Sequence, residues 1–509
     1  MSDEVIVVGA GPTGLMLAAE LRLAGVAVTV LERAAGRGSY SKALALHTRT
    51  LEIFAMRGIC ERFASKGARL PVSNYGGLST PLNLSVLDSR FPFTLITSQV
   101  RTEHLLEEWL RELGGEIRWQ HQVRAVHQDA DTVTVEVETP SGVHTMQADW
   151  VVGCDGAGST VRTSVGIEFP GTSSTVSGFL GDVLLETPPT APAQPYRNEH
   201  GGINIFTLED GYHRIVGTTR DLSTIPASQE LTFQELRSAT IAVAGTDFGM
   251  RDARWLSRYG NAARQAARYR EGRALLAGDA AHMHMPFGGQ GLNVGLQDAF
   301  NLGWKLASVC HHRAPAELLD TYHKERHPIG AALLENTQAQ TALGAIHTPD
   351  MRMLRTVVDR VLARHPEVNR ELASQVAALD VCYPSAEGGP LIGMRAPDIG
   401  LEGASAPSLY PLLADGRFVL LHLVTADAAM IDPDAIALSG KLAGGAERVR
   451  TVVACPTTAH QDWDNLGTVL VRPDGHIAWA RTTASAPDRI PAEYGRATAE
   501  SDLVGASSE

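Results

Sequence analysis

The chain opens on an apolar, β-branched run, Val5-Ile6-Val7-Val8, which reads as a buried parallel strand. Glycines follow at once, and Leu15 to Ala24 then carries helical apolar spacing up to a C-capping Gly25. A second apolar run, Val26 to Leu31, predicts another strand and closes on Glu32. Residues 41–58 lead into a helix that ends near Gly58, and a second helix is predicted from Gln99 to Glu103 onward to Leu113, where Leu105, Leu106, Trp109, Leu110 and Leu113 share a face. Alternation predicts strands at 117–127 and 132–139. Trp150 to Gly153 and Arg273 to Ala277 read as buried strands. An amphipathic helix begins at Leu292, with Val294, Leu296, Ala299, Leu302 and Leu306 at helical spacing.

Two stretches break this alternation. Residues 71–98 are rich in Pro, Gly, Ser and Leu, with short strand-like pieces. Residues 175–260 alternate strands and loops (Gly178 to Glu186, Gly202 to Phe206, His213 to Gly217), which predicts an inserted antiparallel sheet. After a helical stretch over about 314–380, a new unit starts at Gly388-Gly389-Pro390. It carries strands at Arg417 to Val424 and Val449 to Ala454, then a hairpin of Thr468 to Val471 and His476 to Ala480 around Pro473-Asp474-Gly475. The expected class is α/β. A nucleotide-binding unit is divided over 1–174 and 261–387, with a piece near 71–98 lent to the inserted unit 175–260, and 388–509 forms the last unit.

A length of 509 residues suits two to four such units. A formal net charge of −13 argues against a nucleic-acid partner. No apolar run is long enough to span a bilayer, and a strand starting at Val5 leaves no room for a signal peptide, so a cytoplasmic location and no membrane partner are expected. The five cysteines show neither CxxC nor metal-ligand spacing, which predicts reduced thiols and no metal.

Two runs carry the chemistry. In Gly9-Ala10-Gly11-Pro12-Thr13-Gly14, between strand and helix, Gly9 permits the tight turn, Gly11 lets backbone approach phosphate, and Gly14 allows close strand–helix packing. Glu32 stands where a carboxylate can accept both ribose hydroxyls of an adenosine, and its charge disfavours a 2′-phosphate there. Far downstream, Gly278-Asp279-Ala280-Ala281-His282 leads to Pro286-Phe287-Gly288-Gly289-Gln290-Gly291-Leu292-Asn293. Asp279, at a strand end, can accept a ribityl hydroxyl. The glycine loop before a helix exposes N–H groups to the negative charge that a reduced flavin carries at its N1–C2 edge. An NAD-only protein needs no such second clamp, so the pair points to FAD. Asp155, delivered by the strand ending at Gly153, suits the rim of a nucleotide cleft and equally an N-cap. Lys42 and Arg49 read either as phosphate partners or as solvated charges. Phe179, Phe206 and Tyr212 of the inserted sheet read as core or as contacts to a flat substrate beneath it.

These motifs, with Gly156, Ser159 and Arg162 beside Asp155, together resemble the single-component FAD-dependent aromatic hydroxylases of the p-hydroxybenzoate hydroxylase type over roughly residues 1–380. Ser41-Lys42-Ala43, His47 to Glu52, Gln99 with Arg101-Thr102-Glu103, and Trp255-Leu256-Ser257-Arg258 extend the resemblance to actinomycete polyketide hydroxylases and rifampicin monooxygenases. The resemblance implies a Rossmann-like FAD-binding domain with an inserted antiparallel-sheet substrate domain. It also implies a thioredoxin-like C-terminal domain, here lacking CxxC and suited to packing or to a homodimer contact. It carries cofactor-binding roles onto Gly9, Gly11, Pro12, Thr13, Gly14, Glu32, Arg33, Lys42, Gln99, Val123, Asp155, Gly156, Asp279, Pro286, Gly289, Gly291, Leu292 and Asn293. Lys42 falls where many relatives carry Arg.

The implied reaction consumes NADPH (or NADH) and O2 and hydroxylates a polycyclic aromatic phenol through a flavin C4a-hydroperoxide. No general base stands out; His47, His213, His282 and His284 qualify by type alone. Baeyer–Villiger or antibiotic-inactivating oxygenation on the same scaffold, and a non-catalytic flavin-binding protein, remain alternatives. A flavin halogenase is disfavoured by the lack of a Trp-x-Trp-x-Ile-Pro run.

Overall fold

A computed structural model describes residues 3–385, 391–424, 448–458, 460 and 462–482. The expected boundary at Gly388-Gly389-Pro390, and the parts of the last unit at 425–447 and 483–509, lie outside the described residues.

Strand Asp3–Val8 forms the middle of an eight-stranded sheet. It pairs in parallel with Val28–Glu32 on one side and with the second half of Gly142–Gly153 on the other. Glu116–Trp119 and Ala274–Leu276 extend the parallel set outward. Parallel strands place their carboxyl ends on one edge. Gly9, Cys154-Asp155 and Gly278-Asp279 therefore emerge side by side, although the sequence scatters them. The first half of Gly142–Gly153 pairs antiparallel with Val133–Thr139, which in turn pairs with Gln122–Gln128. The alternating Val133, Val135 and Val137 are the buried face of that meander.

The first helix is Pro12–Leu23, starting earlier than apolar spacing alone predicts because Pro12 occupies a first-turn position that needs no N–H donor. Gly14 through Leu21 are all buried. The helix lies between the sheet and Gly291–Cys310, with Glu20 fitted over Gly303. The single helical stretch expected over 314–380 is divided into Asp320–Ala345, Pro349–Arg364 and Pro366–Ala377, two of which begin on a proline.

The insertion is a five-stranded antiparallel sheet, ordered Ala193–Asn198, Gly201–Thr207, His213–Thr219, Ser177–Leu184 and Arg251–Gly260. The strand-and-loop reading missed the helix Phe233–Ala244, which opens with a Thr232–Glu235 capping box and covers one face. Phe179, Val183, Ile203, Ile205 and Ile215 pack with Leu236 and Val243 under that helix. The 71–98 stretch is also more structured than expected. Val72–Ser73 pairs with Leu82–Asn83, and Tyr75, Leu78, Leu82 and Leu84 pack with Leu343, Leu362, Ala373 and Val376.

The last described sheet runs Leu401–Glu402, Val449–Pro456, Phe418–Leu423, Leu466–Val471, Ile477–Thr482. Its hairpin tip plugs into the main lobe. Arg57 donates to Leu413 O (2.8 Å) and Pro473 O (3.0 Å), and Arg49 donates to Asp474 O (2.9 Å). Trp304 Nε1 donates to the Asp474 carboxylate at 3.1 Å. Arg472 meets Glu325 through two bonds (2.8 and 2.9 Å), and Lys305 Nζ reaches the same carboxylate at 2.7 Å. Burial pushes the Glu325 pKa up, but Arg472 and Lys305 outweigh it and hold it down to about 2.

Glu325→Ala leaves both cations buried without their shared counter-ion. It should cost about 3–5 kcal/mol, read as a lowered Tm. The Glu325 contribution is complete above its ordinary 4.5 and is lost as pH falls toward about 2, so the Tm difference between wild type and variant should narrow over that interval.

Candidate active site

The three chain segments at the sheet edge interlock through specific side chains. Gly9 has φ +104°, and a Cβ there would lie 2.5 Å from Cys154 O. A Cβ at Gly14 would collide with Gly9 O, whereas one at Gly11 would meet nothing within 4 Å. The turn is therefore closed behind and open in front, at the position where the sequence predicts a phosphate contact. Pro12 and Thr13 begin the helix behind it. The Glu32 carboxylate is held against this turn, accepting from Ala10 N (2.8 Å) and Ala34 N (2.9 Å), which leaves lone pairs for two hydroxyls. Arg33 is exposed beside it. His121 N donates to Glu32 O (2.9 Å), which sets the buried Val123 close by.

Thr13 joins this run to the downstream one. A Cβ on Gly278 (φ +61°) would lie 2.7 Å from Thr13 Oγ1, and one on Gly295 2.5 Å from it. Asp298, in the helix Gly291–Cys310, holds the Gly278 turn from beneath. Its Oδ2 accepts from Gly278 N (3.1 Å) and His282 Nε2 (2.7 Å), and its Oδ1 from Arg326 Nε (2.7 Å). Burial raises its pKa, yet Arg326 and His282 bring it below the ordinary carboxylate value. Sequence reasoning missed Asp298; the available signal was a carboxylate four residues after Val294 on the helix's apolar side. Asp279 itself is exposed, and a Cβ on Gly291 would lie 4.0 Å from its Oδ1.

The glycine loop folds as a turn, Phe287–Gly289, with Gly288 and Gly289 in the left-handed region and Pro286 exposed before it. His47 Nε2 donates to Gly288 O (2.7 Å), and its Nδ1 accepts from Thr94 Oγ1 (3.1 Å). Burial lowers the His47 pKa to about 4, so the ring is neutral at pH 7. The Asn293 side chain is spent within the protein. It accepts from His47 N (2.8 Å) and Thr50 Oγ1 (2.7 Å), and donates to Ala45 O and Gly289 O (both 2.9 Å). The first-turn N–H groups of Gly291, Leu292 and Asn293 are the donors a helix start leaves to a ligand. Gln99 accepts from Ala43 N (3.0 Å) and donates to Glu103 (2.8 Å).

The N-cap of the helix Thr160–Ser164 is Ser159 and not Asp155, which instead reaches in from the strand end and accepts from Thr160 N (2.7 Å) and Val161 N (3.2 Å). Its other oxygen is buried with no partner among the described residues, and burial raises its pKa. A Cβ on Gly156 would meet nothing within 4 Å, so this rim is open as well. Arg162 ties the rim to the downstream run by donating to Ala280 O at 2.8 Å.

The inserted sheet contributes a buried ion pair, Asp182–Arg214 (2.8 and 2.9 Å). Arg214 also donates to Lys42 O (3.0 Å), which ties the sheet to the loop that carries the exposed Lys42 side chain. Trp255 lies under that guanidinium and stacks on Tyr40. Phe206, opposite Arg214 in the ladder, shares this face. Tyr212 lies under Arg254, 4.1 Å away. Phe179 is corrected from a substrate contact to core: strand alternation turns it away from Asp182 and under the helix Phe233–Ala244. Among the described residues no group of three His, Cys, Asp or Glu could hold a metal ion, and no helix is long and apolar enough to cross a membrane.

Comparison with known proteins gives this edge a family. Residues 2–337 match the FAD binding domain model, and residues 389–500 match the aromatic-ring hydroxylase C-terminal model. The chain is 44% identical over 508 residues to 12-dehydrotetracycline 5-monooxygenase/anhydrotetracycline 6-monooxygenase of Streptomyces rimosus, covering 96% of this chain and 97% of that one. It is 41% identical to rifampicin monooxygenase of Streptomyces venezuelae, covering 97% and 99%. The solved OxyS anhydrotetracycline hydroxylase from Streptomyces rimosus superposes with a TM-score of 0.85 at 43% identity, covering 95% and 96%.

Asp298→Asn should lower Tm and weaken FAD retention at least about tenfold, because Arg326 loses its buried counter-charge; a thermal melt and flavin-fluorescence release read both. His47 is favoured neutral in the fold. Its stabilisation is therefore complete above its ordinary 6.5 and is lost as pH falls toward about 4, and His47→Gln should flatten the Tm–pH curve there.

Proposed function

The chain belongs to the FAD-binding aromatic-ring hydroxylases, and from that premise we propose that it is an NADPH-consuming monooxygenase acting on a polycyclic, polyketide-type phenol. The observation that carries this reading is the sheet edge itself, where Gly9, Gly14 and Gly278 are closed by their neighbours while Gly11, Gly156 and Gly158 have open space before them. That cradle fits FAD. Gly11, Glu32, Arg33 and Val123 would hold the adenosine half, and Asp279 the ribityl chain. The N–H groups of Gly289, Gly291 and Leu292 would meet the ring edge. The unpartnered Asp155 oxygen would serve the cleft shared with NADPH.

Bound FAD, reduced by NADPH, would supply activated oxygen to an electron-rich ring. The chain's own part is placement. The positive end of Gly291–Cys310 favours the negative charge that reduction brings to the ring edge. His47 and Asn293 fix the loop that presents those N–H groups. His47 and His282 are committed to Gly288 O and Asp298, so neither is assigned as a base. The balanced reaction takes substrate, NADPH, a proton and O2 to hydroxylated substrate, NADP+ and water. Oxygenation that inactivates an antibiotic is a second reading, supported by the similarity to rifampicin monooxygenase. We also infer a thioredoxin-like C-terminal unit from its strand order, which is 1-3-2-4-5 when numbered along the chain. Its lack of CxxC suits packing rather than redox work.

FAD-loaded protein should oxidise NADPH faster when a polycyclic phenol is added, and yield a product heavier by one oxygen atom taken from labelled O2. No stimulation across a panel of such phenols would overturn the reading. A product with an opened or enlarged ring would move it to Baeyer–Villiger chemistry.

A further inference from the structure

Beside the inserted sheet, Arg197, His347, Arg352 and Arg355 gather with no carboxylate paired to any of them among the described residues. Arg197 stands on the edge strand Ala193–Asn198, and its guanidinium lies over two glycines. A Cβ at Gly77 would collide with it, and one at Gly202 would come within 2.6 Å. Gly76, next along the same turn, packs on Leu343, where an added Cβ would lie 2.9 Å from the leucine Cβ. Arg355 closes the circuit. It donates from Nε to Leu343 O (2.6 Å) and from Nη2 to Ile346 O (3.2 Å), which caps the end of Asp320–Ala345. His347 follows directly, with a buried Nε2 that has no partner among the described residues. Arg352 lies one turn before Arg355, on the same side of Pro349–Arg364.

The groups burden one another. Arg197 is exposed at its strand edge, and partial desolvation of its guanidinium over the two glycines, then Arg355, brings its pKa below the ordinary arginine value. Burial, then Arg355, Arg197 and Arg352, brings His347 down to about 4. Like charges gathered without a counter-ion are unfavourable, and an anion seated among them would relieve that cost. Two guanidinium groups also match the planar geometry of an oxyanion. The cluster reaches toward the glycine loop. A Cβ on Gly344 would lie 2.6 Å from the Phe287 ring, and Thr218 of the sheet donates to Gly344 O at 3.3 Å.

We propose that Arg197, Arg352, Arg355 and His347 form a binding site for the oxyanion group, carboxylate or phosphate, of a small molecule that docks at the edge of the inserted sheet beside Gly77 and Leu343. Two sources share this chemistry: an acidic group on the aromatic substrate, and the 2′-phosphate of NADPH, which Glu32 disfavours at its own site. The inference rests on the hydroxylase reading only for these two sources.

Titration of FAD-loaded protein without turnover tests it, with affinity read from flavin absorbance or calorimetry. NADP+ is compared with NAD+, and naphthoate with naphthol. In wild type the anionic member of one pair should bind at least about tenfold tighter than its counterpart. Arg197→Gln and Arg352→Gln should each erase most of that preference, leave the counterpart's affinity unchanged, and keep the wild-type Tm. Arg197→Lys should restore part of it. Separation of the nucleotide pair assigns the phosphate source, and separation of the naphthyl pair the carboxylate. No separation of either pair in wild type, or separation that survives the double variant Arg197→Gln/Arg352→Gln, overturns the proposal. Because only binding is measured, that result leaves the hydroxylase reading untouched.

Discussion

One buried carboxylate, Asp298, holds together what the chain delivers in pieces. It receives a backbone N–H from the Gly278 turn, an imidazole from His282 and a guanidinium from Arg326. A lone carboxylate in that position would carry a desolvation cost of several kcal/mol. Here Arg326, from the next helix, offsets it while the backbone donor fixes the loop. The glycine turn at Gly278 can press on Thr13 because Asp298 keeps it there, and Arg162 can reach Ala280 O for the same reason. One charge, in direct contact with the Gly278 turn alone, thus sets how the two runs meet.

Around that charge the protein follows a repeated rule. Several side chains that could serve a ligand are instead committed to another part of the chain. Asn293 spans to His47, Thr50 and Ala45; Gln99 spans to Ala43 and Glu103; His47 spans to Gly288 and Thr94. What remains for a ligand is largely backbone N–H, the exposed Asp279 and the half-free carboxylates of Glu32 and Asp155. Backbone donors locked by side chains pay little reorganisation when charge develops beside them.

The parts readable from sequence are those whose rule is local. Val5 to Glu32 announces strand, turn, helix and strand within a short window, and the parallel pairing follows from it. The glycine loop before Leu292 is readable for the same reason. What sequence hid depends on partners far along the chain. Asn293 meets His47 across 246 positions, so its motif gives no hint that its side chain faces inward. Phe179 has the same strand pattern whether it faces a cavity or a helix, and Phe233–Ala244 decided the matter. That helix was obscured by polar Gln234, Arg237 and Ser238 around a narrow stripe of Leu236, Ala239 and Val243.

The hairpin around Asp474 sets an order of events for the chain. Arg49, Arg57 and Glu325 all belong to the main lobe, and all bond groups that lie beyond residue 410. A growing chain makes these ions long before it makes Arg472 and Asp474. Until those last partners emerge, Arg49, Arg57 and Lys305 keep their main-lobe carboxylates Glu52, Glu20 and Glu325, but Glu325 lacks its second cation and the two arginines lack their backbone acceptors. The main lobe is thus completed by its latest-made neighbour, and a chain lacking the hairpin leaves the Glu325 carboxylate short of Arg472 and Trp304 short of the Asp474 carboxylate behind the helix Gly291–Cys310.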